Sequence, residues 1–344
     1  MLSMEYINNK LNINEGTYFI TGVTGFIGSI ITKSIIKSDR YKNGKIKIIG
    51  LVRDIDKALE MYSNFDQFNL KFIKGDLINL GQLDLLVQND ISSIDYIFHC
   101  AAITKSSEMI LSPVETADGI VIGTKNILNI AKKYNVSSMV YISSMEVYGV
   151  ISSDEDRTDE NNIGTIDILS ERSCYPLGKQ MAEHYCFSYY KEYNVPVKIA
   201  RLAQTFGEGT LKNDTRVFSQ FAKCVIENKD IVLHTKGDSV GNYVESEDAV
   251  NALFILLNYG TNGEAYNIAN EESTMTIFEM AKLVANEIAN RKIKVVFDIP
   301  QNNIYGYAKK TELRLSSSKM RSLGWEPKYK MKDMYKKLIS TFNN

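Results

Sequence analysis

The sequence is short of the residues that build metal centres and disulfide frameworks. Its 344 residues include three histidines and four cysteines. His99, His184 and His234 are scattered along the chain, which argues against a metal site. Cys100, Cys174, Cys186 and Cys224 show no paired CxxC spacing, so reduced thiols in a cytoplasmic protein are expected. An excess of one charge is also missing. Lys and Arg number 40, Asp and Glu 41, and the formal net charge is −1. Neither nucleic acid nor an anionic membrane surface is an expected partner. Apolar runs stop at strand length, too short to span a bilayer. Residues Met1 to Glu15 are polar and Asn-rich, without the apolar stretch of a secretory signal.

What is present is an alternation of short apolar runs and helical patterns. The runs begin at Thr17, Lys45, Leu70, Tyr96, Met139 and Val197, and each is apolar on successive residues. Helical periodicity separates them, notably from Gly119 to Tyr134 and from Gly178 to Tyr193. Strands apolar on both faces, alternating with helices, make a parallel sheet covered on both sides. The expected class is α/β: a Rossmann-type doubly wound parallel sheet over residues 1–205, with a smaller C-terminal substrate-binding lobe. That lobe is assigned to 206–243 and 269–344, because regularity drops after Arg201. The segment 244–268 is expected to return to the sheet. Residues 151–172 are acidic and read as an exposed loop near the site.

The turn Gly22-Val23-Thr24-Gly25-Phe26-Ile27-Gly28 lies between a strand and a helix. The first glycine permits a tight turn, the second lets backbone approach a pyrophosphate, and the third lets helix pack on strand. The helix N-terminus then faces the phosphates. Glycine also punctuates ordinary turns, but the strand–turn–helix setting favours a dinucleotide. The second strand ends in Val52-Arg53-Asp54, where an acid reads the ribose of NAD and an arginine accommodates the phosphate of NADP. Arg53 tilts the reading to NADP; Asp54 keeps NAD open, and both could be solvated loop charges.

Tyr175-Pro176-Leu177-Gly178-Lys179 places a phenol and an ammonium on one helical face. A nearby cation favours phenolate, which suits an acid/base. Ser143 and Ser144 follow the fifth strand at its carboxyl edge, where ligands bind in open α/β sheets. A Tyr-x-x-x-Lys is common by chance in a chain with 20 tyrosines; its pairing with the glycine turn is specific.

These motifs resemble the extended short-chain dehydrogenase/reductase family, in particular its nucleotide-sugar epimerases, dehydratases and decarboxylases. The resemblance covers nearly the whole chain. It includes Gly75-Asp76-Leu77, His99-Cys100-Ala101-Ala102, Ser143-Ser144-Met145-Glu146-Val147-Tyr148-Gly149 and Ala200 to Gly207. The serine stretch with Arg172-Ser173-Cys174-Tyr175 looks most like the UDP-glucuronate decarboxylase branch. The resemblance implies Tyr175 as general acid/base, Lys179 as its partner, and Ser144 as binder of the carbonyl oxygen. It places Asp76, Leu77, Ala101 and Ala102 on the cofactor, and Thr104, Ser143 and Gln204 on the substrate. It also implies a homodimer through two long helices.

The pattern departs from the family at three places. Met145-Glu146 stands where dehydratases carry Asp-Glu, and methionine cannot protonate a leaving hydroxyl. Glu146 remains available as acid, base or substrate contact. Gly241 stands where an arginine usually grips the diphosphate, so Arg216 and Arg314 either supply that charge or form surface salt bridges. Gln204 replaces a usual asparagine. His234 and Trp325 read as structural. The expected activity is redox modification of a nucleotide-activated sugar. The alternative is an NADPH-dependent reductase of a keto-sugar or sugar phosphate. A non-catalytic dinucleotide sensor is disfavoured, because such proteins lose the Tyr-x-x-x-Lys pair.

Overall fold

The computed structural model describes residues 11–79, 91–151, 156–300 and 311–343. Most of the Met1–Glu15 segment lies outside these residues, as does part of the acidic stretch 151–172. Among the described residues no helix is long and apolar enough to cross a membrane.

The large sheet is built from β1 (Gly16–Thr21), β2 (Ile46–Val52), β3 (Leu70–Lys74), β4 (Tyr96–His99), β5 (Ser138–Ser144), β6 (Val197–Leu202) and β10 (Ala265–Ile268). Their spatial order is β10-β6-β5-β4-β1-β2-β3, and each described pairing is parallel. The order reverses between β1 and β4, which is where open α/β sheets hold their ligands. Side chains alternate between faces along each strand, so consecutive apolar residues enter different cores. Tyr18, Ile20, Phe98, Val140 and Ile142 face helices α1 (Phe26–Lys37) and α6 (Ser246–Tyr259). Phe19, Ile97, Met139 and Tyr141 face α3 (Pro113–Tyr134) and α4 (Cys174–Tyr193). The short α2 (Ile55–Tyr62) follows β2.

Local sequence sets the helix ends. Pro113 opens α3, where its missing N–H costs nothing. Asn135, Asn194 and Asn228 close α3, α4 and α5 (Val217–Glu227) in the left-handed conformation that asparagine tolerates. Thr276 and Glu279 form a capping box at the start of α7 (Ile277–Leu283).

A second sheet orders β7 (Gln204–Phe206), β9 (Val240–Glu245) and β11 (Asn270–Thr276) as β11-β9-β7, and β8 (Ile231–Leu233) pairs with β12 (Val295–Phe297). Phe206, Phe218, Tyr243, Met280 and Tyr335 fill a separate core there, with α8 (Met331–Asn343) across it. Helix α6 and β10 lie against the large sheet, β10 alongside β6. Leu315, Met320 and Trp325, expected in the smaller lobe, pack instead into the core beneath α1 and α6. Trp325 is fully buried and its indole N–H donates to the Asp248 carbonyl.

Candidate active site

The glycine turn is built for close approach. Gly22 has φ +71°, and a Cβ there would lie 2.9 Å from the Ala101 nitrogen. A Cβ on Gly28 would lie 2.2 Å from the Gly22 carbonyl oxygen, so helix and turn touch through bare backbone. Gly25 is the N-cap of α1 and no side chain caps that helix. Its first N–H groups therefore suit a phosphate, as the dipole does. Thr24, Phe26 and Ile27 are half-buried around this cradle. A dinucleotide pyrophosphate fits these residues.

The neighbouring β4 edge is fixed by Thr21. Its hydroxyl oxygen accepts from the Cys100 and Ala101 N–H groups at 3.1 Å and lies 2.7 Å from His99 Nδ1. With two N–H groups on that oxygen, the hydroxyl proton goes to Nδ1 and the other ring nitrogen faces Thr124 at 3.2 Å. Burial pushes His99 down to about 3, with Lys179 adding repulsion, so the imidazole is neutral. Ala101 and Ala102 are half-buried at this edge. Asp76 accepts from the Ile78 N–H at 2.9 Å, and the Leu77 carbonyl accepts from Asn126 of α3 at 2.6 Å. At the end of β2, Asp54 caps α2 by accepting from the Lys57 N–H, whereas the Arg53 side chain is exposed.

Ser144 ends β5 and Tyr175 stands at the start of α4. Ser144 Oγ accepts from the Glu146 N–H at 3.2 Å, and its hydroxyl lies near enough to Tyr175 to favour phenolate. Tyr175 is nevertheless held well above the usual phenol range. Burial is the largest cause, the Glu146 carboxylate adds to it, and Arg172 and Arg216 oppose it. Lys179 is buried, and its ammonium donates to the Ile142 carbonyl at 2.7 Å. The ammonium stands 5.7 Å from the Tyr175 ring centre and 4.8 Å from that of Tyr141. Burial pulls Lys179 down to about 8, against the raising effect of Glu183. Glu146, expected as an acid, a base or a substrate contact, is gripped by Arg172 through two bonds of 2.6 and 2.9 Å. Arg172 entered the sequence reading only as part of the stretch that resembles the decarboxylase branch, with no role of its own. Its place three residues before Tyr175 was the available signal.

Other expected residues are distributed differently. Ser143 does not line the site: it is 3% exposed and donates to Glu183 Oε1 at 2.5 Å. Strand alternation turns it away from the face that Ser144 takes. Thr104 is exposed after β4, and Gln204 starts β7, half-buried and opposite Tyr243. Arg216 binds Asp214 Oδ2 through Nε at 2.9 Å and a terminal nitrogen at 2.5 Å, yet its charge reaches Tyr175. The charge of Arg314 is felt at Glu279 instead. At Gly241 a Cβ would meet the Tyr243 hydroxyl at 2.3 Å. The phenol of Tyr243 thus fills the space where a clamping side chain would begin.

Residues 18–269 match the NAD dependent epimerase/dehydratase family. A dTDP-D-glucose 4,6-dehydratase of Dictyostelium discoideum is 28% identical over 292 residues, 83% of this chain and 64% of the relative. The chain thus spans somewhat less than two thirds of that protein. UDP-glucuronic acid decarboxylase 1 of Danio rerio is 26% identical over 331 residues, 94% of this chain and 72% of the relative. The crystal structure of dTDP-glucose 4,6-dehydratase from Bacillus anthracis in complex with NAD shares the fold, with TM-score 0.75 and 23% identity over 95% of this chain and 96% of that one. The chain belongs to the NAD dependent epimerase/dehydratase family, enzymes that work with a nicotinamide dinucleotide.

Proposed function

We propose that the protein oxidises a hydroxyl of a nucleotide-activated sugar to a ketone and then processes that ketone by epimerase- or decarboxylase-type chemistry without net redox change. The observation that carries this reading is the convergence of Ser144, Tyr175 and Lys179 at the carboxyl edge of the sheet, beside the glycine turn. Gly22, Thr24, Gly25, Phe26, Ile27, Gly28, Arg53, Asp76, Leu77, Ala101 and Ala102 hold the dinucleotide in this reading. A nicotinamide held there supplies the hydride acceptor and, later, the donor. Tyr175 takes the hydroxyl proton, and Ser144 hydrogen-bonds the reacting oxygen. Lys179, tied to the Ile142 carbonyl, keeps a positive charge behind the phenol and faces the nicotinamide ribose. Thr104, Gln204 and Arg216 face the sugar nucleotide, with Arg216 supplying charge that Gly241 cannot.

The dinucleotide-binding part is residues 1–205 with 244–268, and the substrate lobe is drawn from the rest. The protein works in the cytoplasm as a homodimer through α3 and α4. Those helices leave Val114, Ile122, Met181 and Phe187 exposed, which supports a covered face.

A second reading, a one-way NADPH-dependent reductase of a keto-sugar or sugar phosphate, is favoured by two observations. Arg53 is exposed while Asp54 is occupied as a cap, and Tyr243 closes the position of the diphosphate clamp. Mass spectrometry of the retained cofactor decides between NAD and NADP. Incubation with a panel of nucleotide sugars decides the rest. Product formed at constant cofactor redox state supports the first reading, and stoichiometric loss of NADPH overturns it.

A further inference from the structure

A carboxylate beside a phenol that must lose a proton works against that loss. Glu146 is such a carboxylate, joined by its N–H to Ser144 and opposing the ionisation of Tyr175. Arg172 offsets it. Two guanidinium nitrogens bind the two carboxylate oxygens, at 2.6 and 2.9 Å. This parallel geometry fixes the plane of a carboxylate as well as its place. Arg172 reaches Glu146 because the turn Glu171–Ser173 runs directly into α4, with Tyr175 three residues on. A fully exposed ion pair would do little here. This one is 38% and 31% exposed and acts on the phenol from both signs.

We propose that Arg172 is a positioning residue that holds the Glu146 carboxylate in place and orients it beside Tyr175, as a hydrogen-bond acceptor for a sugar hydroxyl. This rests on the reading of Tyr175 as the acid/base. It adds that Glu146, with both oxygens accepting from Arg172, meets the sugar as an acceptor while the pair is intact. The site therefore suits oxidation of a ring carbinol over elimination of water, and the favoured substrate keeps its neighbouring hydroxyls.

The charged and titratable groups around Tyr175 come from every side. Glu146 faces it from the turn after β5, Arg172 from the turn before α4, and Arg216 from the approach to α5. Lys179 lies one turn along its own helix, and Tyr141 packs from β5. Arg172 and Arg216 favour phenolate, and Glu146 opposes it.

The test follows the Cζ carbon resonance of Tyr175 with pH in protein labelled on tyrosine and loaded with whichever of NAD or NADP it retains. The Tyr175→Phe variant assigns the signal. Replacing Arg172 by Met is expected to move the midpoint up by about one pH unit. Glu146→Gln moves it down, the double variant returns close to the wild type, and Arg172→Lys restores part of the shift. A merely structural Arg172 lowers melting temperature without opposite movements of this midpoint. Movement in one direction for both single variants, or none, overturns the proposal. If Arg172→Met does not fold, Arg172→Lys and Glu146→Gln still give the two directions. Nucleotide-sugar turnover by the wild type is measured beside it. Its absence removes the functional reading, while the midpoints decide the pair by themselves.

Discussion

Two arginine–glutamate pairs flank the end of β5, and adjacent serines point at them. Ser143 donates to Glu183, which Arg201 binds at 2.7 Å through one terminal nitrogen and at 3.0 and 3.2 Å through Nε. Ser144 receives the N–H of Glu146, which Arg172 binds. The first pair is 8% and 9% exposed and the second 38% and 31%. Arg201 also reaches the Tyr148 hydroxyl and the Glu160 carbonyl, and Tyr148 donates to Asn267 of β10. The inner pair thus ties β5, β6, α4 and β10 together. The outer pair borders Tyr175 and is open to a ligand. The same two residue types serve as an anchor in one place and as a charge setting in the other. Burial and the number of satisfied partners make the difference.

The largest effect expected is on the anchor. Arg201→Met leaves Glu183 charged, buried and without its guanidinium, a loss of about 3–5 kcal/mol. Urea denaturation at pH 7 should read that loss directly. Arg172→Met should cost less than about 1 kcal/mol, because water reaches the carboxylate it leaves. Similar losses at both sites would break the distinction. Next comes Ser144→Ala, which should lower turnover by about 10²–10³ through loss of a donor to the reacting oxygen. Its denaturation midpoint should stay near the wild type, and unchanged turnover would remove Ser144 from the chemistry.

Much of the site was legible in sequence because it depends on neighbours along the chain. The glycine turn is seven residues long, and its requirement for bare backbone at Gly22 and Gly28 is visible in the residue type. Tyr175 and Lys179 share a helical face by spacing alone. The parallel sheet was legible because strands buried on both faces are apolar on successive residues. What spacing could not supply was pairing across the chain. Glu146 and Arg172 are brought together by a turn and a helix start, and Arg201 reaches back to Glu183 across β6 and α4. Ser143 is a different kind of miss. Period-two alternation already requires Ser143 and Ser144 to face opposite sides of β5, so only one of them could meet a ligand. The capping role of Asp54 could also be read from its place just before a helix, where a carboxylate accepts a free N–H.

Lys179 sharpens the comparison from the side of the charge. Its folded value of about 8 lies below the ordinary 10.5, because burial disfavours the ammonium. Between those values the unfolded chain holds a proton that the folded chain has released, so this group makes folding more favourable as pH rises through the window. Below about pH 8 its full cost is present. Lys179→Met removes the cost and should stabilise the protein at pH 7 by roughly 1–3 kcal/mol while abolishing turnover. The advantage of the variant over the wild type should shrink from about pH 8 to 10.5. A variant that is less stable at pH 7 would mean that the Ile142 carbonyl bond outweighs the desolvation of the charge.

The smallest effect on turnover, that of Ser143, separates the two pairs most cleanly. Its hydroxyl is one of several donors to Glu183, and Arg201 remains on both carboxylate oxygens when it is removed. Ser143→Ala should therefore cost about 1–2 kcal/mol, the value of a hydrogen bond to a charged group with its other partners kept. Turnover should change less than about threefold, since less than 1 kcal/mol is expected to reach the transition state. Chemical denaturation and initial rates on the same preparation give both numbers. Loss of turnover on the scale of Ser144→Ala, with stability intact, would place Ser143 against the sugar. The alternation of β5 would then have to be broken at that residue in solution, and the inner pair would be part of the chemistry as well as the anchor.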